Sequence, residues 1–456
     1  IPFSYKNKYH ATLHEAADGN ILSLFGAAES VMPLCDKIWS AGGEAELSGE
    51  AKEAATKTVM EMYRLGLRVL AVAYKNDAGP TLEDALQNLV FLGFVGIKDV
   101  IRAEAADAVK KAREAGMRVV MITGDHRVTA EAIAREAGIF TDGDGTMTGD
   151  ELETLDEKEL LARLARTAVF ARVTPDHKLK IIEAYKKRGE IIAMTGDGVN
   201  DAPALMAADL GVAMGRSGTE VAKEAADIIL LDDNFESIVA AVEEGRSIYK
   251  TIKKVLLYLF STSLGEALTI LGALSLGWPL PILPVQIIWL NLVTDSFLDA
   301  ALAMEPKEEG LLSGHFERPK KYLVDRAMMR RMVVMSIPMA LGALLLYWAL
   351  NGDPARATTV ALTALAVSQW FNAWNCRHES KSIFSSNPFA NKFLVLATAI
   401  VVSLHLLAIY TPLMNKMLKT VPLSLSDWGW VISVSFSVII LEEIRKFFSR
   451  QHVKTV

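Results

Sequence analysis

Two aspartates and an asparagine lie close together in a glycine-bracketed turn, residues 194–203, whose sequence is MTGDGVNDAP. They are Asp197, Asn200 and Asp201, and the apolar run 191–193 before them predicts a strand that ends in this turn. Because parallel α/β sheets bind ligands at the carboxyl ends of their strands, the turn places these side chains at an expected binding site. Oxygen ligands beside small residues suit Mg²⁺ and a phosphoryl group. An acidic surface loop would explain the glycines and aspartates but not their order.

Two other segments place a hydroxyl, a carboxylate and a lysine next to predicted strands and helices. Residues 123–125, Thr-Gly-Asp, follow the apolar run 118–122, and Lys178 lies at a predicted helix start after residues 174–177. Phosphoryl transfer requires donors for the phosphate oxygens, a metal ion and an in-line nucleophile. No aspartate of this sequence lies in an Asp-Lys-Thr-Gly-type turn, where it could be the phosphorylated nucleophile. The sequence therefore predicts a phosphoryl-transfer site that lacks its nucleophile.

Hydrophobic periodicity predicts the elements that position these groups. Residues 88–235 alternate between strands and helices, a pattern typical of a doubly wound parallel sheet. Its predicted strands are 89–96, 118–122, 169–171, 191–194, 210–213 and 228–231, with helices at 103–115 and 128–137 and a turn at 142–150. Residues 1–75 contain short alternating runs around a helical stretch near 49–65. A helix from about residue 238 is expected to continue to about residue 276.

Six long apolar stretches follow residue 245, at roughly 255–276, 282–304, 329–350, 357–375, 391–411 and 428–444. A helix needs about 20 residues to cross the apolar layer of a bilayer, so six transmembrane helices are predicted. Basic residues lie before the first stretch, between the second and third, and after the fourth and sixth, which predicts a cytoplasmic soluble part. They are Lys250, Lys253, Lys254, Arg318, Lys320, Lys321, Arg330, Arg331, Arg377, Lys381, Arg445, Lys446 and Arg450.

Polar side chains within the apolar stretches form a second candidate site. They are Ser263 and Glu266 in the first stretch, Asn291, Asp295 and Asp299 in the second, and Gln369 and Asn372 in the fourth. Spacings of three and four residues predict one helical face in each stretch. Carboxylate, amide and hydroxyl oxygens suit Ca²⁺ better than Zn²⁺ or Cu⁺. No lysine or arginine lies within these three stretches to neutralise the carboxylates, although hydrogen bonding between helices is an alternative role.

Composition and charge exclude several classes of protein. Hydrophobic residues make up 51% of the 456 residues and the net charge is −6, which argues against a nucleic-acid-binding protein. The two cysteines, Cys35 and Cys376, are far apart, so neither a disulfide framework nor a zinc site is expected. The sequence begins at Ile1 without methionine or a signal peptide, and we expect it to be a piece of a longer protein.

The segments around Thr123, Lys178 and Asp197 resemble the phosphorylation domain of P-type cation-transporting ATPases, which belong to the haloacid-dehalogenase-like superfamily. The resemblance extends over nearly the whole chain and is specific to the calcium-pump branch. It implies that the aspartyl-phosphate is contacted by Thr123, Gly124 and Lys178, that Asp197 holds Mg²⁺ with Asn200 and Asp201 completing the site, and that Asp125 and Arg172 contact nucleotide or help to close the domains.

The first 75 residues resemble the end of the nucleotide-binding domain of the same family. The resemblance implies that Phe3 stacks on adenine, that Lys8 binds nucleotide and that Arg68 binds phosphate; stacking of this kind contributes about 0.5–1.5 kcal/mol. The family's usual Lys-Gly-Ala-Pro-Glu reads Phe-Gly-Ala-Ala-Glu at residues 25–29, so Phe25 stands where a lysine is expected.

The resemblance also implies a set of ion ligands in the membrane helices. Positions that line the transport sites of calcium pumps match Ser263, Glu266, Asn291, Thr294, Asp295 and Gln369. In pumps with two calcium sites the position of Ser263 is asparagine and that of Gln369 is glutamate. We therefore expect one ion per cycle, bound through Asn291 and Asp295, with Glu266 as an auxiliary ligand or proton counter-transport group. Ca²⁺ is the first candidate, then Mn²⁺, then Na⁺ or K⁺, and Asp299 receives no role.

The expected domains are the end of a nucleotide-binding domain at 1–86, the second part of a phosphorylation domain at 87–245 and a six-helix membrane domain at 246–456. The expected function is ATP-driven cation transport through an aspartyl-phosphate, with Mg²⁺ as cofactor, in the plasma membrane of a prokaryote. The N-terminal half of the same protein would supply the nucleophile, and this chain alone would be inactive. The alternatives are a haloacid-dehalogenase-like phosphatase with a membrane anchor and a non-catalytic membrane protein.

Overall fold

A computed structural model describes residues 1–4, 7–16, 19–76, 86–313 and 322–453. The prediction of a cytoplasmic soluble part relies on basic residues that include Arg318, Lys320 and Lys321. These three lie outside the described residues. Contacts divide the chain into two compact units, one formed by the residues up to 241 and the other by most of the remaining chain. Each unit is described by itself.

The first unit begins with a six-stranded mixed sheet. Its strands are β1 (Tyr9–Ala16), β2 (Gly19–Ala27), β3 (Cys35–Ser40), β4 (Gly43–Glu46), β5 (Arg68–Lys75) and β6 (Leu89–Ile97). The strand order is β1-β2-β5-β6-β3-β4, and only β3 and β6 pair in parallel. The helices of this part are α1 (Ala28–Val31) and α2 (Gly49–Arg64), with a short 3₁₀ helix at Met32–Leu34.

Helix α2 forms where the predicted helical stretch lies and packs on this sheet. Ser48 caps it by accepting a hydrogen bond from the backbone N–H of Ala51. Ala55, Val59 and Tyr63 recur every four residues, so they form one apolar face, and all three are buried in the core of the mixed sheet.

The remaining strands of the first unit are all parallel and form two sheets of three. Strands β7 (Met121–Ile122), β8 (Gly145–Thr148) and β9 (Thr167–Ala171) have the order β7-β9-β8, and β10 (Ala193–Gly196), β11 (Leu210–Met214) and β12 (Ile228–Leu230) follow their sequence order. The helices that alternate with them are α3 (Ala105–Glu114), α4 (Arg127–Glu136), α5 (Gly149–Thr154), α6 (Glu157–Leu164), α7 (Pro175–Lys187), α8 (Ala202–Ala207) and α9 (Glu220–Ala225). The prediction of a parallel α/β fold is confirmed.

Two predicted details of this unit are wrong. The strand predicted at 89–96 does not belong to a parallel α/β sheet, because β6 pairs with β5 and β3 in the mixed sheet. The segment 142–150, predicted as a turn, contains β8, which pairs with β9. In both cases the pairing partner is distant in sequence, and local composition carries no information about it.

The second unit is helical. Its helices are α10 (Phe235–Ser275, which belongs to this unit from residue 242 on), α11 (Pro284–Trp289), α12 (Ser296–Ala303), α13 (Arg326–Ala349), α14 (Pro354–Cys376), α15 (Lys392–Tyr410), α16 (Pro412–Leu418), α17 (Leu425–Ser435) and α18 (Ser437–Val453). A π-helical segment, Leu290–Asp295, joins α11 to α12. Helix α10 contains 41 residues, as expected for a helix that continues into the first apolar stretch.

Within the described residues, four helices are long and apolar enough to cross a membrane: Phe235–Ser275, Pro284–Ala303, Arg326–Ala349 and Lys392–Tyr410. The predicted number of six is therefore not confirmed. Helix α14 has 23 residues, but polar side chains such as Gln369 and Asn372 are buried within it and lower its hydropathy. The sixth predicted stretch is divided between α17 and α18, and the second of these carries Glu442 and Lys446.

Candidate functional site

Lys178 and Asp201 form a largely buried ion pair at the edge of the parallel sheets. The Nζ atom of Lys178 donates to Oδ1 of Asp201 at 2.5 Å, and the two side chains are 16% and 10% exposed. The Oδ2 atom of Asp201 accepts from the backbone N–H of Gly198 at 3.2 Å. A Cβ atom at Gly196 would lie 2.5 Å from that of Asp201, so only glycine allows this close approach.

The start of helix α7 places Lys178. Thr174 is the N-cap residue, Pro175 occupies the first turn, and the Thr174 hydroxyl accepts from the backbone N–H of His177. In the reciprocal hydrogen bond, Nδ1 of the His177 ring accepts from the backbone N–H of Thr174 at 3.2 Å. Lys178 therefore lies one turn into a helix whose start is fixed by reciprocal hydrogen bonds.

Thr123 and Asp125 follow strand β7 and are held against the end of β9. The Thr123 hydroxyl donates to Asp125 Oδ2 at 2.9 Å and accepts from the Asp125 backbone N–H at 3.1 Å. The backbone N–H groups of Arg172 and Val173 donate to the carbonyl oxygens of Asp125 and Thr123 at 3.0 and 3.2 Å. Gly124 between them is exposed. The predicted Thr-Gly-Asp segment thus lies at the carboxyl ends of two parallel strands.

Asp197 and Asn200 lie in the turn after β10, and both side chains are exposed. The backbone carbonyl of Asp197 accepts from the N–H of Thr219 at 2.8 Å. Mg²⁺ is commonly bound by one or two carboxylates together with water and substrate phosphate, and the exposed carboxylate of Asp197 fits this mode. The described part of the chain contains no group of three or more His, Cys, Asp or Glu side chains that could hold a metal ion.

Four charged residues link the mixed sheet to this site. Arg68 lies with its Nε atom 3.8 Å from Oδ1 of Asp125, and Arg172 forms an ion pair with Glu29. Beside them the rings of Tyr63 and His126 stack with centroids 4.2 Å apart. Burial, and then the positive charge of Arg172, lowers the pKa of His126 below its usual value.

Two of the residues predicted to bind nucleotide, Phe3 and Lys8, precede β1, the edge strand of the mixed sheet. Phe3 is 59% exposed, and the backbone N–H of Lys8 donates to the carbonyl of Ser4 at 2.8 Å. Phe25, in the position where a lysine is expected, is also exposed, with its ring 5.2 Å from that of His10. Aromatic rings are the side chains on which bases stack, so the residue type of Phe3 agrees with the predicted role.

In the second unit, Glu266 joins three segments of the helical bundle. Its Oε1 atom accepts from Nε2 of Gln369 in α14 at 2.7 Å, and its Oε2 atom accepts from Nδ2 of Asn291 at 3.3 Å. The Glu266 side chain is buried. Among the described residues, no basic side chain lies within ion-pair distance of it.

Asp295 is buried near a different part of helix α10. It accepts from the Tyr258 hydroxyl at 2.8 Å and from the Thr262 hydroxyl at 3.3 Å. Close by, Nδ2 of Asn372 donates to Oγ of Ser261 at 2.7 Å. Tyr258, Ser261 and Thr262 are not among the residues predicted for this site. Tyr258 and Thr262 could have been recognised from their spacing, because they precede Glu266 at steps of four residues and so lie on its helical face.

The members of each predicted ligand face differ in exposure within the described part of the chain. In α10 Ser263 is exposed and Glu266 is buried, and in the next membrane helix Asn291 is exposed and Asp295 is buried. Asn291 and Asp295 both lie in the π-helical segment. That each set shares one helical face stays a prediction.

Several buried polar atoms near these carboxylates have no hydrogen-bond partner among the described residues. They are Oγ1 of Thr294, Oε1 of Gln369 and Oδ1 of Asp299. Buried polar atoms are normally paired, so each of these oxygens is available to bind an ion or water.

Replacing Gly149 by alanine should destabilise the predicted phosphoryl-transfer site. A Cβ atom there would lie 2.4 Å from the carbonyl oxygen of Arg172 and 2.8 Å from Nδ1 of His177, the residue that precedes Lys178. Overpacking of this kind costs about 1–3 kcal/mol, so the thermal unfolding midpoint of the protein should fall. Gly49→Ala is the control, because nothing lies within 4 Å of its added Cβ atom. Equal midpoints for the two variants would contradict the prediction.

Three family models match the chain. Residues 1–104 match "P-type ATPase, cytoplasmic domain N", residues 178–242 match "haloacid dehalogenase-like hydrolase", and residues 279–448 match "Cation transporting ATPase, C-terminus". The second range includes Lys178, Asp197 and Asp201, and the third includes Asn291 and Asp295. The chain thus combines a haloacid-dehalogenase-like part with a region that matches the C-terminus of cation-transporting ATPases.

Curated relatives agree with these matches. The chain is 38% identical to the calcium-transporting ATPase 1 of Bacillus cereus over 98% of its length and 52% of the relative. It is 40% identical to the calcium-transporting ATPase of Bacillus subtilis over 95% of its length and 50% of the relative, and 33% identical to the endoplasmic reticulum calcium ATPase srcA of Aspergillus fumigatus over 98% and 51%. The chain spans about half the length of these relatives. It belongs to the P-type cation-transporting ATPases and is a multi-pass membrane protein.

Proposed function

We propose that this chain is the C-terminal half of a pump that uses ATP to move a cation across a membrane, with Ca²⁺ as the first candidate. The observation that carries the proposal is the burial of Glu266 and Asp295 in helices of the second unit without a basic partner among the described residues. A charged side chain at the centre of a membrane helix costs about 2.5–3.5 kcal/mol even on insertion scales. A bound cation would offset that cost.

The proposed ion ligands are oxygens of Asn291, Thr294 and Asp295, with Glu266 as an auxiliary ligand or proton carrier. Ca²⁺ takes six to eight oxygen ligands. The unpartnered buried oxygens of Thr294 and Gln369 support this set, because an ion would satisfy them. Ser263 is retained as a ligand that would reach the ion from the exposed side of α10. One ion per cycle is proposed, since Gln369 offers an amide where two-site pumps have a carboxylate.

The phosphoryl-transfer site is proposed to be completed by a strand from the N-terminal half of the protein. Among the described residues, β7 pairs only with β9 and β10 pairs only with β11, so each has a free edge. Thr123 and Asp197 follow these two strands. A strand that carries the phosphorylated aspartate would place it at the same carboxyl ends.

Within that site the residues of this chain would have separate roles. Thr123, Gly124 and Lys178 would bind the phosphoryl oxygens, and the positive charge of Lys178 would stabilise the transition state. When bound, Mg²⁺ would neutralise part of the phosphate charge. Its ligand would be Asp197, with Asn200 beside it. Asp201 would orient Lys178 through their ion pair.

Nucleotide is proposed to bind at the mixed sheet. Phe3 would stack on adenine, Lys8 and Arg68 would contact the nucleotide phosphates, and Arg172 and Asp125 would help to bring the nucleotide to the phosphoryl-transfer site. Arg68 lies close to Asp125, which supports a shared role for these groups. The proposed domain limits are near residues 86 and 245. Strand β6 lies just beyond the first limit and still belongs to the mixed sheet. The first unit would be cytoplasmic, in the plasma membrane of a prokaryote.

The experiment that tests this function is formation of an acid-stable phosphoenzyme from labelled ATP, in membranes that contain the full-length protein. We expect labelling to require Ca²⁺ and to be absent with Na⁺ or K⁺ alone. Labelling supported better by Mn²⁺ would assign that ion instead. Labelling that ignores every ion would favour a phosphatase with a membrane anchor, and folded protein without any labelling would favour a non-catalytic membrane protein.

A further inference from the structure

Asp233, at the end of the parallel fold, binds a row of backbone N–H groups. Its Oδ1 atom accepts from Gly215 at 2.7 Å and from Arg216 at 2.9 Å, and its Oδ2 atom accepts from Ser217 at 3.0 Å. The Asp233 side chain is only 3% exposed. Three charge-assisted hydrogen bonds to consecutive residues fix the backbone of this segment.

Other contacts show that Asp233 itself is held in one place. Arg102 donates to its carbonyl oxygen, and the Arg102 Nη2 atom lies 3.7 Å from Oδ2. The hydrogen bonds, first of all that from the Arg216 backbone, lower the pKa of Asp233 to about 2. Asp233 has φ = 55°, in the left-handed region that aspartate tolerates better than most residues.

The segment that Asp233 binds leads directly to Asp197. Residues 215–218 form a tight turn after β11, in which a Cβ atom at Gly218 would lie 2.0 Å from the carbonyl oxygen of Met214. The next residue, Thr219, donates its backbone N–H to the carbonyl oxygen of Asp197 at 2.8 Å. Asp197 itself is exposed, so this backbone hydrogen bond is an important restraint on where its carboxylate lies.

We propose that Asp233 is a positioning residue for the Mg²⁺ site, because it fixes the turn 215–218 and, through Thr219, the backbone of Asp197. This inference rests on the proposed role of Asp197 in phosphoryl transfer. Asp233 touches neither phosphate nor metal in this arrangement. It acts by setting the position of the carboxylate that does.

The test compares Asp233→Asn with Asp232→Asn in the full-length protein. The two substitutions remove the same charge at adjacent positions, but Asp232 is exposed, and its side chain accepts from the Asn234 backbone N–H and the Ser237 hydroxyl near the start of α10. The first readout is the Mg²⁺ concentration for half-maximal phosphoenzyme formation. The second, without ATP, is the Mg²⁺ concentration for half-maximal thermal stabilisation.

For Asp233→Asn we expect both Mg²⁺ concentrations to rise about tenfold or more, the size typical of losing a group that orients a metal ligand. Asp232→Asn should leave both unchanged. A purely structural role would reduce the amount of active protein but would not shift either Mg²⁺ concentration. Wild-type half-saturation in folded Asp233→Asn protein would overturn the proposal.

A milder variant keeps the test decisive if Asp233→Asn does not fold. Ser217→Ala removes only the hydroxyl contact with Asp233 and retains the three backbone bonds. It should shift both Mg²⁺ concentrations in the same direction by about two- to threefold, and no shift would overturn the proposal. Failure of the proposed function would be recognised separately, because the wild-type protein would then form no phosphoenzyme at all.

Discussion

Replacing Asp295 by asparagine in the full-length protein should abolish calcium-dependent phosphoenzyme formation at calcium concentrations that saturate the wild type. Asp295 is 2% exposed and accepts hydrogen bonds from Tyr258 and Thr262, so its carboxylate has a fixed position. Removing one charge from a buried ionic contact costs about 2–5 kcal/mol. The calcium concentration for half-maximal labelling should therefore rise about 30-fold or more.

A second buried aspartate provides the control for this prediction. Asp427 is 4% exposed, but it is paired with Arg356, whose Nη2 atom lies 2.7 Å from its Oδ1 atom. Asp427→Asn should lower the stability of the protein and leave its calcium dependence unchanged. If both variants lost calcium dependence equally, or if Asp295→Asn behaved as the wild type, Asp295 would not be an ion ligand.

Lys178→Met should slow phosphoenzyme formation by about 10²–10³-fold, because loss of one preorganised donor to developing charge has effects of this size. The substitution also leaves Asp201, which is 10% exposed, without its cation. An unpaired buried charge is destabilising by about 3–5 kcal/mol, so the unfolding midpoint should fall as well. Rapid-quench measurement of labelling, scaled to the amount of folded protein, separates the two effects.

Lys186→Met is the matched control on the same helix. Its Nζ atom lies 3.4 Å from Oδ1 of Asp209, and both side chains are more than a third exposed. Surface ion pairs of this kind contribute about 0–1 kcal/mol, so neither rate nor stability should change much. A normal labelling rate in folded Lys178→Met protein would show that the lysine does not contact the reacting phosphate.

Local sequence signals predicted the parts of the site that depend on neighbouring residues. Thr174 and Pro175 define the start of α7 by capping and by a fixed φ angle, and both act within one turn of Lys178. The turn that holds Asp197 and Asp201 was likewise recognisable, because its glycines are required for close approach. These features place the residues at strand ends without any knowledge of the sheet.

The missed features depend on contacts between distant segments or on irregular backbone. The residues of β8 are typical of a turn, but they form a strand because they pair with β9. The π-helical turn that contains Asn291 and Asp295 is irregular backbone for which the sequence offers no local pattern.

The length of helix α10, 41 residues, also indicates how deep in the membrane Glu266 is expected to lie. At about 1.5 Å per residue the helix is about 60 Å long, whereas the apolar layer of a bilayer is about 30 Å thick. About half of the helix must therefore lie outside that layer, and Lys250, Lys253 and Lys254 mark the place where it enters. Glu266 is then about 18 Å beyond Lys254 along the axis. We therefore expect its carboxyl group near the midplane of the bilayer, where an uncompensated charge is most costly.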